Sequence, residues 1–387
     1  MSFLEKFQQP KAPLSRDFIV LSSVVIGLCI TGMVMVTSAS SVVSMRETGS
    51  AWNYAQKQLF AMIIGGVMMY YASRLKMSFV RMMTIPLFFI SSAGLVLVLL
   101  IGKEVAGQKN WIYTPFGNLQ PSEYAKLALI MTCAGWVTRQ LRNNGSVRMI
   151  LAGPVVFSLW FVGWVVAERD LGTPIIIGGI ALGILFAAGT SWRTMMALFS
   201  GAIVAIAAYS IFGPAYRLNR FKAWFSPESF PDTYGYQLLH GQYALARGGL
   251  LGQGLGQSTE KWGALPAPHT DFILAVIGEE LGIIGTVGIV SLLGLLIAMG
   301  IRIAAKSRDD YSRLLAFGIV TWIAVQTIVN VGAIVRALPI TGVPLPFVSY
   351  GGSSLIPAMA AMGILLAIAR ENAASSRKVR EQVDQEV

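Results

Sequence analysis

A segment with three carboxylates holds residue types suited to acid–base chemistry. It reads HTDFILAVIGEELG (269–282): His269 and Asp271 precede an apolar run, and two glutamates lie inside it. A carboxylate in an apolar helix is costly unless it is paired, protonated or functional. We predict that Thr270 or Asp271 lies at the mouth of a helix, where Asp271 is a candidate N-cap residue. For Glu279 and Glu280, we expect at least one to pair inside the protein.

A second polar segment is QPSEYAK (120–126), in which Glu123 and Lys126 are three residues apart. This spacing places both side chains on one helix face, where they can pair. Pro121 suits the first turn of that helix. Two interpretations stay open, a structural ion pair that locks the helix to a neighbour and a pair that faces a substrate.

The segment LPITGVPLPFVSYGGSS (338–354) interrupts an apolar region with three prolines and paired glycines. Proline prevents a continuous helix, and broken backbone at membrane depth is tolerated only inside protein or beside a wet cavity. We predict a lined pocket here, with Ser349 and Ser353 as substrate-binding residues. A packed corner without a pocket is the alternative.

A long polar loop, about 213–270, carries several basic residues and a glycine-rich run, GGLLGQGLGQS (248–258). Arginine side chains suit phosphate oxygens, and a glycine-rich backbone can offer N–H groups to an anion. The absence of G-x-x-x-x-G-K-[ST] argues against a nucleotide-driven pump. The basic residues are Arg217, Arg220, Lys222, Arg247 and Lys261.

The few cysteines and histidines do not predict a metal centre. Cys29 and Cys133 each lie in an apolar run, which indicates small buried side chains. His240 and His269 are too few to hold a metal without carboxylates. No cofactor is predicted, and a divalent cation (Mg or Mn) stays open.

The composition places these segments in a membrane. Of 387 residues, 55% are hydrophobic and only 13% are charged, too few to cover a soluble fold. We predict an all-α polytopic membrane protein, a bundle of about ten transmembrane helices with one large extracytoplasmic loop. The first apolar run is predicted to be a transmembrane helix rather than a cleaved signal. The predicted spans start near residues 18, 57, 79, 122, 148, 173, 194, 271, 312 and 342.

The distribution of charge predicts the orientation. Most of the 30 Lys and Arg fall in short loops and tails on one side, which the positive-inside rule makes cytoplasmic. The net charge of +11 therefore sets topology, and no nucleic-acid partner is expected. We predict a cytoplasmic tail at 1–17, a transmembrane domain at 18–370 and a flexible cytoplasmic tail at 371–387.

The chain resembles the SEDS proteins (shape, elongation, division and sporulation), which include FtsW and RodA. The resemblance extends over about residues 18–370. It rests on five segments that occur in the same order: QPSEYAK, DLGT (170–173), GLGQS-x-x-K (254–261), HTDFILAVIGEELG and the proline-rich segment. GEELG is more typical of the FtsW branch. The sequence departs from the family at LPAP (265–268), where the family often has a glutamate.

The resemblance implies a ten-helix peptidoglycan glycosyltransferase in the bacterial plasma membrane, with a role at the division septum favoured over elongation. The implied substrate is lipid II, and the implied partners are a class B penicillin-binding protein and other division proteins. The family's essential aspartate aligns with Asp271, which becomes the predicted catalytic base. The predicted substrate-binding residues are Arg217, Arg220, Lys261, Glu123, Lys126, His269, Ser349 and Ser353.

Two other functions stay open at this point. A lipid II flippase or transporter would use Glu279, Glu280, Lys126 and Asp170 as a proton or ion relay. The most distinctive polar residues are predicted at the outer face of the membrane, whereas a carrier needs a binding site near the midplane. A non-catalytic scaffold for division proteins would tolerate substitution of Asp271.

Overall fold

The computed structural model describes residues 14–105, 107–114, 117–212, 215–233 and 235–386, which form a helical bundle. Within these ranges, ten helices have at least 16 residues, and their order follows the predicted spans. The helices are α1 (Arg16–Thr48), α2 (Asn53–Ala72), α3 (Met77–Met82), α4 (Thr84–Ile101), α5 (Pro121–Arg142), α6 (Val147–Ala167), α7 (Gly172–Ala187), α8 (Trp192–Ile211), α9 (Ala215–Phe225), α10 (Tyr236–Gly248), α11 (Ile273–Ala305), α12 (Asp310–Ile334) and α13 (Gly352–Glu386).

The long helices have the composition of membrane spans. Among the described residues, seven are long and apolar enough to cross a membrane: α1, α4, α6, α8, α11, α12 and α13. The remaining long helices pack among them, α2 against α13, α5 against α4 and α6, and α7 against α12. The predicted polytopic helical bundle is confirmed. Its best-buried members are α12 and α13, so the centre of the bundle lies around them.

Helix starts follow from local capping chemistry. Ser15 accepts from the backbone N–H of Phe18 at 3.2 Å, and Asp309 accepts from that of Ser312 at 3.1 Å. Each bond satisfies an N–H that has no partner within the helix. Pro121 is the first residue of α5, as its fixed φ predicted.

The connection between α4 and α5 forms a small antiparallel sheet. Strands β1 (Lys103–Val105), β2 (Gln108–Thr114) and β3 (Gly117–Leu119) follow one another in that order, with Ile112 paired to Leu119. The prediction of an all-α protein therefore holds for the bundle, but this connection contains three short β-strands that were not predicted.

Near the C-terminus one predicted helix start is wrong, and the conformation expected for the tail differs from the structure. The last long helix begins at Gly352 and not near 342, because the three prolines keep residues 335–351 out of helical geometry. The tail that we expected to be flexible from 371 is helical, since α13 runs to Glu386. Residues 1–13 of the predicted N-terminal tail lie outside the described residues.

Helix α11 is broken at Gly282, where φ is 69° and ψ is −167°. A side chain at this position would place its Cβ 2.4 Å from the carbonyl oxygen of Leu250, so both the conformation and the close approach require glycine. The glycine-rich segment (residues 248–258) supplies the lost hydrogen bonds. The four bonds run from Gln253 N to Glu279 O (2.9 Å), Gly254 N to Glu280 O (3.0 Å), Ile283 N to Gly249 O (2.9 Å) and Ile284 N to Leu250 O (3.3 Å).

This arrangement gives the glycine-rich segment a structural role, whereas the sequence suggested that its backbone could bind an anion. The N–H groups of Gln253 and Gly254 already donate to α11 carbonyl oxygens. A broken helix is tolerated in a bundle when neighbouring groups satisfy the freed backbone in this way. The segment therefore anchors the long loop to α11.

Candidate functional site

Asp271 lies just before α11, and its carboxylate does not cap the helix. The helix starts at Ile273, its N-cap is Phe272, and no side chain caps it. The N-cap interpretation of Asp271 is therefore wrong. The Oγ1 of Thr270 donates to Oδ1 of Asp271 at 2.9 Å, and Gln237 of α10 forms a further side-chain hydrogen bond to this carboxylate.

The surroundings of Asp271 make its carboxylate a stronger base than one in water. Burial raises its pKa, while the bonds from Thr270 and Gln237 and the charge of Arg220 act in the opposite direction. Burial is the largest of these effects, so the pKa of Asp271 is raised overall. A base with a raised pKa takes a proton more readily at neutral pH.

Arg220 of α9 is the predicted phosphate-binding residue whose charge acts on Asp271. It is half-buried and forms no ion pair within 4.0 Å with another described residue, so its guanidinium is not neutralised there. Arg217 also lies in α9, but its side chain lies outside the described part of the structure. Two other loop cations are paired, Arg247 with Glu260 at 2.5 Å and Lys261 with Glu280 at 2.8 Å.

Arg220 lines a cavity of about 270 Å³ whose walls are mostly apolar. The walls come from α6, α7, α8, α9 and the segment at 339–341, and Asp170 is a second charged group there. An apolar cavity with a guanidinium in its wall suits an amphiphile that has an anionic head group. The apolar lining comprises Val162, Val166, Leu171, Pro174, Ile175, Ala205, Ile206, Phe221, Pro339 and Ile340.

A larger groove of about 770 Å³ lies between α1 and the glycine-rich segment. Its polar lining includes Ser38 and Lys261, and both are already bonded to Glu280. The smaller cavity beside Arg220 is therefore the better candidate for binding a charged substrate.

His269, two residues before Asp271, lies in an aromatic cluster. Its ring centroid is 4.7 Å from that of Tyr54 and 5.3 Å from that of Tyr350, and the N–H of Tyr350 donates to its carbonyl at 2.8 Å. Burial lowers the pKa of His269 to about 4, opposed by the charge of Glu47. The imidazole is therefore neutral at physiological pH. Its Nδ1 is buried without a hydrogen-bond partner among the described residues.

Glu123 and Lys126 form a buried ion pair in α5. Nζ lies 2.8 Å from Oε1, and the side chains are 4% and 0% exposed, respectively. Lys126 also donates to Oε1 of Gln326 in α12 at 3.2 Å. This geometry matches the first of the two interpretations, an ion pair that ties α5 to a neighbouring helix.

Lys261, Glu279 and Glu280 join the long loop to α11. Lys261 pairs with Glu280 at 2.8 Å. The carboxylate of Glu279 accepts from the hydroxyl groups of Ser258 at 2.5 Å and Thr259 at 2.8 Å. The expected internal pairing of at least one of these two glutamates is found for Glu280.

Ser349 and Ser353 are buried, and each hydroxyl binds backbone. Ser349 accepts from the N–H of Leu345 at 2.8 Å, and Ser353 accepts from the N–H of Gln120 at 2.7 Å. These bonds fold the proline-rich segment and fasten it to the start of α5. Of the predicted site residues, His269 and Asp271 lie just before α11, and Arg220 of α9 is close enough for its charge to act on Asp271.

A buried carboxyl that we did not single out follows α6. Glu168 is fully buried, and neither of its carboxyl oxygens has a hydrogen-bond partner within the described structure. Burial, and next the charge of Asp170, raise the pKa of Glu168 to about 9. Asp170 instead accepts from Gly172 N (2.8 Å) and Thr173 Oγ1 (2.7 Å) at the start of α7.

Two amides that were not among the predicted site residues, Gln326 and Asn330, lie one turn apart in α12. Gln326 donates to the carbonyl of Pro344 at 2.9 Å, and Asn330 donates to those of Asp271 and Val343, both at 2.8 Å. An amide in an apolar span is a signal that could have found them, since polar groups there need partners. No group of three His, Cys, Asp or Glu side chains suited to a metal ion is present in the described ranges.

Comparison with known proteins identifies the family. Residues 19–374 match the FtsW/RodA/SpoVE family, described as cell cycle protein. A protein of Trichlorobacter lovleyi named "Probable peptidoglycan glycosyltransferase FtsW" is 38% identical over 371 residues, which cover 94% of this chain and 96% of that protein. A protein of Mycobacterium tuberculosis with the same name is 37% identical over 358 residues, covering 92% of this chain and 68% of the relative.

Solved structures give the same assignment. A chain from a structure described as "Structural coordination of polymerization and crosslinking by a peptidoglycan synthase complex" superposes with a TM-score of 0.75 at 27% identity, covering 91% of this chain and 97% of that one. The rod shape determining protein RodA of Thermus thermophilus gives a TM-score of 0.68 at 26% identity, covering 91% and 96%. The resemblance drawn from the motifs is confirmed, and this chain belongs to the FtsW/RodA/SpoVE family of cell cycle proteins.

Proposed function

We propose that this protein is a peptidoglycan glycosyltransferase that polymerises lipid II at the outer face of the plasma membrane, with Asp271 as the general base. One observation carries the proposal: a partly buried carboxylate that is not used to cap its helix lies within the electrostatic reach of Arg220, which lines an apolar cavity. The names of the FtsW relatives support the same activity.

The reaction joins the 4-hydroxyl of the acceptor sugar to the anomeric carbon of the donor chain. The hydroxyl proton passes to the Asp271 carboxylate, and the new oxygen–carbon bond forms as the bond from the anomeric carbon to pyrophosphate breaks. The electron pair leaves with undecaprenyl pyrophosphate, and the anomeric centre inverts. A single base and a stabilised leaving group suffice for this displacement.

Arg220 is proposed to stabilise the negative charge that develops on the leaving pyrophosphate. A fixed guanidinium in a site of low dielectric is effective because it needs no reorganisation during the reaction. The cavity of about 270 Å³ beside it would take the first part of the polyprenyl chain. Lys261 and the Glu123–Lys126 pair are not proposed to contact the pyrophosphate, since their charges are already balanced inside the protein.

The carrier hypothesis is less well supported. Glu279 and Glu280 are bonded to residues of the long loop, and Lys126 is paired with Glu123. These contacts engage three of the four groups of the proposed relay, and the fourth, Asp170, accepts from Gly172 N and Thr173 Oγ1. Liposomes that contain labelled lipid II discriminate the two functions, because translocation without polymer would favour a carrier.

We propose a class B penicillin-binding protein as partner, because a chain from a peptidoglycan synthase complex has this fold. We also propose cytoplasmic termini and a location at the division septum. The charge of the short loops supports the orientation. Labelling of single cysteines introduced at each terminus with a membrane-impermeant reagent tests it in intact and opened cells.

The deciding experiment is polymerisation of purified lipid II by the protein, with and without the class B partner. We expect glycan strands from the wild type and at least a 100-fold loss in Asp271→Asn, in line with the removal of a general base. Full activity in Asp271→Asn would show that this carboxylate is not the base. Absence of polymer under all conditions, with translocation present, would refute the proposed activity.

A further inference from the structure

Asn330 is buried in α12, and its side-chain amide donates hydrogen bonds to two different segments. Its Nδ2 lies 2.8 Å from the carbonyl oxygen of Asp271 and 2.8 Å from that of Val343. A carbonyl oxygen only accepts, and the amide nitrogen is the only donor that asparagine has in its side chain. The orientation of the amide is therefore fixed by its partners.

Among the described residues, no backbone N–H of α11 donates to the carbonyl of Asp271. The first carbonyl used by α11 is that of Phe272, which accepts from Ala275 N at 2.9 Å. The peptide that follows Asp271 is therefore held through Asn330. If that peptide turned, the Asp271 carboxylate would turn with it and leave Thr270 and Gln237.

Asn330 also joins this turn to the proline-rich segment, which has no regular structure of its own between 335 and 351. A second bond, from Tyr350 N to the carbonyl of His269 at 2.8 Å, joins the same two segments two residues earlier. Two cross-links thus hold residues 269 and 271. The amide of Gln326 binds Pro344 in the same segment but does not contact the turn at Asp271.

We propose that Asn330 is a positioning residue, which sets the direction of the Asp271 carboxylate through its backbone carbonyl. This inference rests on the proposed function of Asp271 as the base. It predicts that Asn330 affects the rate of the chemical step far more than the binding of lipid II, because it does not touch the cavity lined by Arg220. Misplacement of a catalytic group by about 1 Å costs on the order of 100-fold in rate.

The test is steady-state polymerisation of lipid II by the purified full-length protein with its class B partner. The variants are Asn330→Leu and, as a matched control, Asn372→Leu, which removes one amide bond to the carbonyl of Ile303 (3.0 Å) elsewhere in the bundle. We expect Asn330→Leu to lower kcat by about 10- to 100-fold with KM within about threefold of wild type. The control should keep kcat within about threefold, although both variants lose thermal stability.

Asn330→Asp provides a second test if Asn330→Leu does not accumulate. It keeps the size of the side chain but removes the two-donor group, so we expect the same fall in kcat without a change in KM. A kcat near wild type in a folded Asn330 variant, with Asp271→Asn inactive, would overturn the positioning role and leave the proposed function intact. Full activity in Asp271→Asn would instead remove the base on which the inference rests.

Discussion

Lys261 and Glu280 form an ion pair inside the protein, with Nζ 2.8 Å from Oε1 and side chains only 3% and 0% exposed. The hydroxyl of Ser38 donates to both carboxylate oxygens, at 2.7 and 2.8 Å. The pair connects three parts of the chain: α1, the long loop and α11. Together with the hydrogen bonds of the glycine-rich segment, this pair holds the long loop against α11.

Replacement of Lys261 by Met should destabilise the protein by about 3–5 kcal/mol, because it leaves the Glu280 carboxylate buried without a cation. The measurement is unfolding in detergent, followed by circular dichroism. Arg169→Met is the control, since its ion pair with Glu104 is exposed and should contribute at most about 1 kcal/mol. Equal losses in the two variants would contradict a structural role for the buried pair.

Gly248→Ala should loosen the contact between α10 and α11. A Cβ at this position would lie 1.8 Å from the carbonyl oxygen of Gly278, so the backbones must separate. Overpacking of this kind costs about 1–3 kcal/mol. Gly288→Ala is the matched control within α11, because nothing lies within 4 Å of its Cβ. The melting temperature should fall in Gly248→Ala alone.

The pH dependence of polymerisation should report the environment of Asp271. A general base must be unprotonated, so the rate falls as the pH drops through its pKa, which burial has raised. Arg220 lowers that pKa, so Arg220→Met should raise it further and move the acidic limb of the pH–rate profile to higher pH. Lys222→Met removes a charge from the same helix as a control, and its limb should stay in place. A limb that moves to lower pH in Arg220→Met would contradict this electrostatic coupling.

Glu168 should make the protein less stable as the pH rises. Its pKa is about 9 in the folded protein against 4.5 for the free side chain, so between these values the folded state holds a proton that the unfolded state has lost. The free energy of unfolding then falls by up to about 1.4 kcal/mol per pH unit. Glu168→Gln should remove this slope and stabilise the protein at about pH 8. The measurement is the melting temperature of wild type and Glu168→Gln between about pH 5 and 9, with the exposed Glu104→Gln as control. If the melting temperatures of wild type and Glu168→Gln change in parallel with pH, Glu168 is not the source of this pH dependence.

The sequence by itself determined the class of this protein and the segments that matter. Apolar runs of span length can only be buried in lipid or in one another, so the helical bundle follows from local composition. The motif around Asp271 and the proline-rich segment also stand out locally, because carboxylates and prolines are costly in a span.

Only the tertiary structure decided what each polar residue does. The break at Gly282 and its repair by residues 249–254 depend on contacts between segments about 30 residues apart, which no local pattern encodes. The same holds for Asn330, which is 59 positions from Asp271 in the chain. A hydrogen bond requires two groups to meet in space. Sequence can indicate that a buried amide or carboxylate needs a partner, and the fold alone selects which one it receives.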